Sequence, residues 1–324
     1  MRAHKEKIIV VVGPTASGKS ELAVFLAKKL HGEIISADSR QIYRGLSIGS
    51  GKVPGRWKRG LFIYKGVPHH MVDRADPRRV FTANDFQTEA KIALRAIRAR
   101  NNVPIIAGGT GFYINALVYG LTLPHVPPNW PLRKQLEKKT PARLFTMLRK
   151  VDPRRAKTID RRNPHRLIRA LEIVRATGRR IANITRKHPY DTLMIGIMAP
   201  QKSLEKKIAH RLHTRMKSGM IREVRRLRAR GISHARLRAL GLEYGFCSRY
   251  LEGAISKKEL QKTLQRAIVN YAKRQMTWFA KNPEIVWVSA GTAGTARAVR
   301  LSHAFLTEKK STGRIKNQRE RQST

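Results

Sequence analysis

The sequence predicts an α/β fold, a parallel sheet flanked by helices and interrupted by a mainly helical insertion. Three observations carry this. Short β-branched runs alternate with segments of helical periodicity in the first third of the chain, the signature of a parallel sheet covered on both faces. A Gly-rich turn joins the first strand to the first helix. Prolines 124, 127, 128 and 131 then break the pattern before a basic helical stretch.

The elements follow in order. Residues 8–12 form an apolar β-branched run and hence a buried strand. Residues 19–30 carry helical spacing at Leu22, Phe25, Leu26 and Leu30. A second short strand is expected at 33–36. Residues 86–100 place Ala90, Ala93, Leu94 and Ile97 on one helical face, with Arg98 and Arg100 in the last turn. A third strand, 103–107, stops at Gly108-Gly109. Residues 130–186 read as helical and very basic, and 192–198 return to a strand pattern. A long basic amphipathic helix is expected over 204–230, ending at Gly231, another helix over 259–280, and a last strand at 284–288. The expected domains are a core of 1–123 and 191–306, an insertion of 124–190 and a disordered basic tail of 307–324.

Charge narrows the partners. Among 324 residues, Lys and Arg number 68 against 21 acids, a formal net charge of +47. Such an excess repels itself and calls for a polyanion, nucleic acid first. A compositional bias toward Arg accounts for part of it, since basic residues occur along the whole chain. The single cysteine, Cys247, rules out an internal disulfide and a cysteine-based zinc site, which suits a cytoplasmic setting. No stretch approaches the length of a membrane span, and the apolar run at 8–12 is too short for a signal segment.

The chemistry begins at Gly13-Pro14-Thr15-Ala16-Ser17-Gly18-Lys19-Ser20, which fits G-x-x-x-x-G-K-S between a strand and a helix. Such a loop turns successive N–H groups onto an anion, the helix N-terminus adds its dipole, and Lys19 adds a charge. The Ser20 hydroxyl is a candidate Mg²⁺ ligand. The sheet is therefore expected to be P-loop NTPase-like. The strand at 103–107 ends in Gly-Gly-Thr rather than in an acid, which weakens an NTPase reading without excluding it. Asp38, Ser39, Gln41 and Tyr43 leave the C-terminal end of the second strand, where ligands of open α/β sheets bind. Asp38 there can be a general base, a Mg²⁺ ligand or a helix cap. Gly108-Gly109-Thr110-Gly111 makes a second Gly-rich turn at the same edge. The paired His69 and His70 are read as structural, because no further ligand sits at a recognisable spacing.

Together these segments resemble the bacterial tRNA dimethylallyltransferases. The resemblance rests on the loop at 13–20, Ser36-Ala37-Asp38-Ser39-Arg40-Gln41-Ile42-Tyr43-Arg44, Pro68-His69-His70-Met71-Val72-Asp73, the segment 81–86 and Gly108 to Tyr113. It continues in Asn163-Pro164-His165-Arg166-Leu167-Ile168-Arg169 and Lys273-Arg274-Gln275-Met276-Thr277-Trp278-Phe279. It implies transfer of a dimethylallyl group from dimethylallyl diphosphate, with Mg²⁺, to N6 of the adenosine 3′ of the anticodon. It further implies that Gly13, Pro14, Thr15, Ala16, Ser17, Gly18, Lys19 and Ser20 hold the pyrophosphate, helped by Thr110 and Arg211, with Asp38 as base. By the same resemblance the tRNA anticodon stem-loop meets Asp38, Ser39, Arg40, Gln41 and Thr110. Further contacts are implied at His165, Arg166, Leu167, Ile168, Arg169, Arg238, Lys273, Arg274 and Trp278. We expect a monomer. Arg40 departs from the smaller residue usual at its position, and 238–243 is a looser match. Three alternatives stay open: an adenylate isopentenyltransferase acting on free AMP, an RNA-associated P-loop kinase or NTPase, and an RNA-binding protein with a degenerate loop.

Overall fold

A computed structural model describes residues 5–182 and 185–308. The elements in chain order are β1 (Glu6–Val12), α1 (Lys19–Lys29), β2 (Gly32–Ser36), β3 (Arg56–Lys58), β4 (Leu61–Tyr64), β5 (Val67–His70), α2 (Ala83–Ala99), β6 (Val103–Gly108), α3 (Gly111–Val118), α4 (Trp130–Glu137), α5 (Pro141–Val151), α6 (Pro153–Thr158), α7 (Pro164–Thr177), β7 (Tyr190–Met198), α8 (Gln201–Lys217), α9 (Met220–Ala229), α10 (His234–Ala239), α11 (Leu242–Leu251), α12 (Lys257–Phe279), β8 (Ile285–Ser289) and α13 (Thr292–Thr307).

The strands form one eight-stranded sheet, ordered β3-β4-β5-β2-β6-β1-β7-β8. From β5 to β8 every pair is parallel, as the βαβ alternation predicted. β1 lies in the middle, paired with β6 through Val12↔Gly108 and with β7 through Val12↔Gly196. Its Ile8 to Val12 are fully buried, which is why that run has no polar alternation. The 56–70 stretch adds an antiparallel pair of ladders, β3 on β4 and β4 on β5, at one edge. Periodicity did not mark these strands, because each is three or four residues long.

Helix starts follow local chemistry. Thr82 and Asp85 close a capping box on α2, three residues before the expected start. Ser256 and Glu259 do the same for α12. The single helix expected over 204–230 is instead two, α8 and α9. Gly219 sits at φ 99° between them, a left-handed conformation that no regular helix continues through.

Two compact units result. One holds the chain up to Ile114 and from Pro189 onward, and the other spans Asn115–His188. In the first, Leu22, Leu26, Ile34, Ile105, Ile195 and Ala298 belong to one core under the sheet. The second packs Leu132, Leu136, Leu144, Leu148, Leu167 and Ile168. Thr307, assigned to the tail from sequence, closes α13, and the rest of that expected tail from 309 lies outside the described residues.

Candidate active site

Three strand ends build the site. The loop after β1 curls with Ala16 at φ 64° and Gly18 at φ 95°, so the chain turns back on itself before α1 begins at Lys19. The first backbone hydrogen bond of α1 runs from Leu22 N–H to Gly18 O, leaving the N–H groups of Lys19, Ser20 and Glu21 without an intrahelical acceptor and available to an anion, while Ser17 N–H donates to Pro14 O at 3.3 Å. Ser17 Oγ is buried here with no hydrogen-bond partner among the described residues, a polar atom that an incoming oxygen would satisfy. After β2, the backbone N–H groups of Arg40 and Gln41 donate to Asp38 Oδ1 at 2.9 and 3.3 Å. Those bonds aim the carboxylate and leave Oδ2 without a hydrogen bond among the described residues. After β6, Thr110 N–H donates to Ala37 O at 3.1 Å, and Thr110 Oγ1 accepts from Ser39 N–H at 3.0 Å. Gly108 is obligatory at this junction, since a Cβ there would run into the backbone of Ala37.

One cavity joins these ends. Thr15, Lys19, Ser20, Asp38, Gln41, Gly51, Arg211 and Arg215 line it. Burial pushes the Lys19 ammonium down to about 8; Asp38 opposes this, while the like charges of Arg211 and Arg215 add to it. Lys19 Nζ meanwhile donates to Pro14 O at 3.2 Å. A lysine so destabilised in its charged form gains from an anion, which restores its proton.

Some parts of the site were given no role by the sequence. Gln275, on α12, accepts from Thr15 N–H at 2.8 Å and donates to Gly109 O at 2.9 Å, so one amide clamps the phosphate loop to the Gly-rich turn. Glu223, on α9, accepts from the backbone N–H groups of Ser47, Ile48 and Gly49, and from Tyr244 Oη at 2.9 Å. It shapes the loop that brings Gly51 to the cavity. Arg215 stands one turn beyond Arg211 on α8, an i,i+4 pairing that the sequence does display. His69 and His70 have partners within the fold, and His69 also lines the cavity. His69 Nδ1 lies 2.9 Å from Val67 O, and His70 Nε2 lies 2.6 Å from Glu33 Oε2.

Comparison with known proteins decides the family. The IPP transferase family profile matches residues 41–282. The chain is 37% identical over 311 residues to a tRNA dimethylallyltransferase of Pelotomaculum thermopropionicum, covering 94% of this chain and 97% of that one. This chain belongs to the IPP transferase family. Crystal structures agree. The full-length tRNA isopentenylpyrophosphate transferase of Bacillus halodurans superposes with a TM-score of 0.67 at 34% identity, covering 93% of this chain and 96% of that one. A eukaryotic dimethylallyltransferase acting on tRNA superposes with a TM-score of 0.75 at 25% identity, over 93% and 79%. The P-loop NTPase-like sheet expected from sequence is that of these IPP transferase neighbours.

The remaining expected RNA contacts of this IPP transferase are distributed unevenly. Ser39 and Arg40 sit beside Asp38, half-exposed. Lys273, Arg274 and Trp278 are exposed on α12, with the Trp278 indole against Gly111. In α7, His165 and Arg166 are exposed, but the Leu167 and Ile168 side chains are core and have no face to offer RNA. The Arg169 guanidinium is engaged by Glu172 and by Val126 O. Arg238 is paired with Glu252 at 2.7 Å.

Proposed function

We propose that this protein transfers a dimethylallyl group from dimethylallyl diphosphate to N6 of the adenosine 3′ of the anticodon in tRNA. The observation that carries it is the convergence of Lys19, Ser20, Asp38 and Arg211 around one cavity at the ends of β1, β2 and β6, with Thr110 hydrogen-bonded to Ser39 N–H beside Asp38. A phosphate loop facing a carboxylate across a polar turn suits alkyl transfer. It grips a leaving group on one side and takes a proton on the other.

The chemistry follows. The N6 lone pair is delocalised into the adenine ring and attacks weakly. As it bonds to the allylic carbon, the carbon–oxygen bond breaks and the electron pair leaves with diphosphate. The N–H groups at 18–20, Lys19 and Arg211 stabilise the charge growing there. Asp38 accepts the N6 proton through the oxygen that its own loop leaves unbonded. Gln275 holds loop and turn in register. The residues present fit magnesium: the Ser20 hydroxyl offers a hard oxygen at this cavity, suited to an ion that arrives already coordinated by its diphosphate. Once bound, the ion would offset charge on the leaving group.

The target base is stacked in the anticodon loop, so it must be extruded to reach Asp38. Exposed Trp278 beside Gly111 offers a surface for an unstacked base, with Lys273 and Arg274 for phosphates. No helix among the described residues is long and apolar enough to cross a membrane, and we assign the enzyme to the cytoplasm, acting as a monomer. The test is purified protein with labelled dimethylallyl diphosphate and unmodified tRNA or AMP. Label in tRNA is the expected result. Label in AMP alone, or ATP turnover without transfer, overturns the reading.

A further inference from the structure

We propose that Arg215 is a second diphosphate-binding guanidinium, held ready by Glu243 and by the 47–51 loop. The inference rests on the reading of the cavity as a diphosphate site. Arg215 lies four residues after Arg211 on α8, so both point from one helical face into the same cavity as Lys19.

Its bonding is lopsided. Nη1 donates to Glu243 Oε1 at 3.2 Å and to Gly49 O at 3.4 Å. Nη2 and Nε donate to nothing among the described residues, although the side chain is only 16% exposed. A guanidinium has five N–H donors in a planar fork, and those on Nη2 and Nε, without a protein acceptor among the described residues, remain available to a ligand. A diphosphate oxygen pair is the acceptor whose geometry matches that free edge.

The surroundings enforce this arrangement. Gly51, at φ 62°, passes so close that a Cβ would clash with the Arg215 guanidinium and crowd Arg211 Nη2 at 3.2 Å. The loop carrying Gly51 is fixed by Glu223 and by Ser50 N–H donating to Tyr244 Oη at 3.0 Å. Three cations, Lys19, Arg211 and Arg215, therefore face one cavity against the two acids Asp38 and Glu243. That surplus of positive charge, withdrawn from solvent, is offset by an anion bound among it. Glu243 touches no substrate in this scheme. It is a positioning residue that orients the fork.

Inorganic pyrophosphate with magnesium, titrated calorimetrically into the full-length protein, tests the assignment. Arg215→Met keeps the stem and removes the fork, and is expected to weaken pyrophosphate about tenfold or more. The KM for dimethylallyl diphosphate should rise in parallel, and tRNA affinity should stay within twofold. Arg215→Lys preserves an ammonium for Glu243 and Gly49, and should still weaken pyrophosphate threefold or more, since one ammonium cannot hold those oxygens and also present a fork. If Arg215→Lys binds pyrophosphate as the wild type does, Arg215 is only a clamp on the 47–51 loop. Wild-type protein that fails to bind pyrophosphate at all overturns the diphosphate reading itself.

Discussion

Lys19 and Asp38 share a cavity with opposite needs. Lys19 must be charged to hold a leaving group, and Asp38 must be free to accept a proton. Burial lowers Lys19 to about 8, so the free enzyme loses this charge as pH rises through that value. An anion raises the lysine again, and binding above pH 8 therefore takes up a proton. Pyrophosphate affinity of the wild type relative to a Lys19→Arg variant should fall between pH 7 and 9, approaching tenfold per unit above 8. Equal pH profiles for the two proteins would refute this. Asp38→Asn retains the Oδ1 acceptor for Arg40 and Gln41 N–H but cannot take a proton. It should reduce kcat by about 10²- to 10⁴-fold while pyrophosphate binding stays within twofold. Near-normal turnover would remove Asp38 from the role of base.

At the scale of elements, Gln275 of α12 acts on the phosphate loop without supplying a charge. Gln275 satisfies Thr15 N–H and Gly109 C=O together, so Gln275→Ala strands both at a buried junction. The expected cost is about 1–3 kcal/mol in unfolding free energy, together with weaker pyrophosphate binding. Gln275→Glu keeps an acceptor for Thr15 but loses the donor to Gly109, and should fall between wild type and the alanine variant. The α8–α9 break depends on Gly219 at φ 99°. Gly219→Ala should destabilise the fold by about 1 kcal/mol in denaturant titration, with little change in transfer at saturating substrate.

Across the whole molecule, two buried carboxylates tie elements together. Glu33, at the start of β2, would be raised by burial, but hydrogen bonds from Arg100, His70 and Asn102 overcome this and hold it at about 2. Glu172, on α7, is likewise held at about 2 against its burial by Arg133, Asn129 N–H and Arg169. A carboxyl whose folded pKa is depressed stabilises the fold above its unfolded value of about 4.5, and that stability is lost as pH falls toward 2. Thermal unfolding of Glu33→Gln should therefore show a flatter pH dependence between 4.5 and 2 than the wild type, while the wild type loses stability steeply there. The net charge of +47 acts at the same scale, making tRNA affinity fall steeply with salt.

The sequence by itself determined the parallel sheet, the phosphate loop, and Asp38 and Thr110 at neighbouring strand ends. Each is encoded locally, by β-branched runs without alternation, by glycines at fixed spacing, and by polar residues directly after a strand. It also displayed Arg211 and Arg215 one turn apart, but no local rule says which face of a basic helix meets a ligand. Only the tertiary structure decided that both reach the cavity, that Gln275, 260 residues from Thr15 in sequence, clamps the phosphate loop to the Gly-rich turn, and that Leu167 and Ile168 are core. The β3–β4 edge and the break at Gly219 escaped for a related reason. Strands of three or four residues fall below the length at which periodicity shows, and a single glycine in a polar helix ends it only when the following helix packs elsewhere. Chemistry written into contiguous residues is legible in one dimension, whereas the partners of a side chain are set by packing among distant segments.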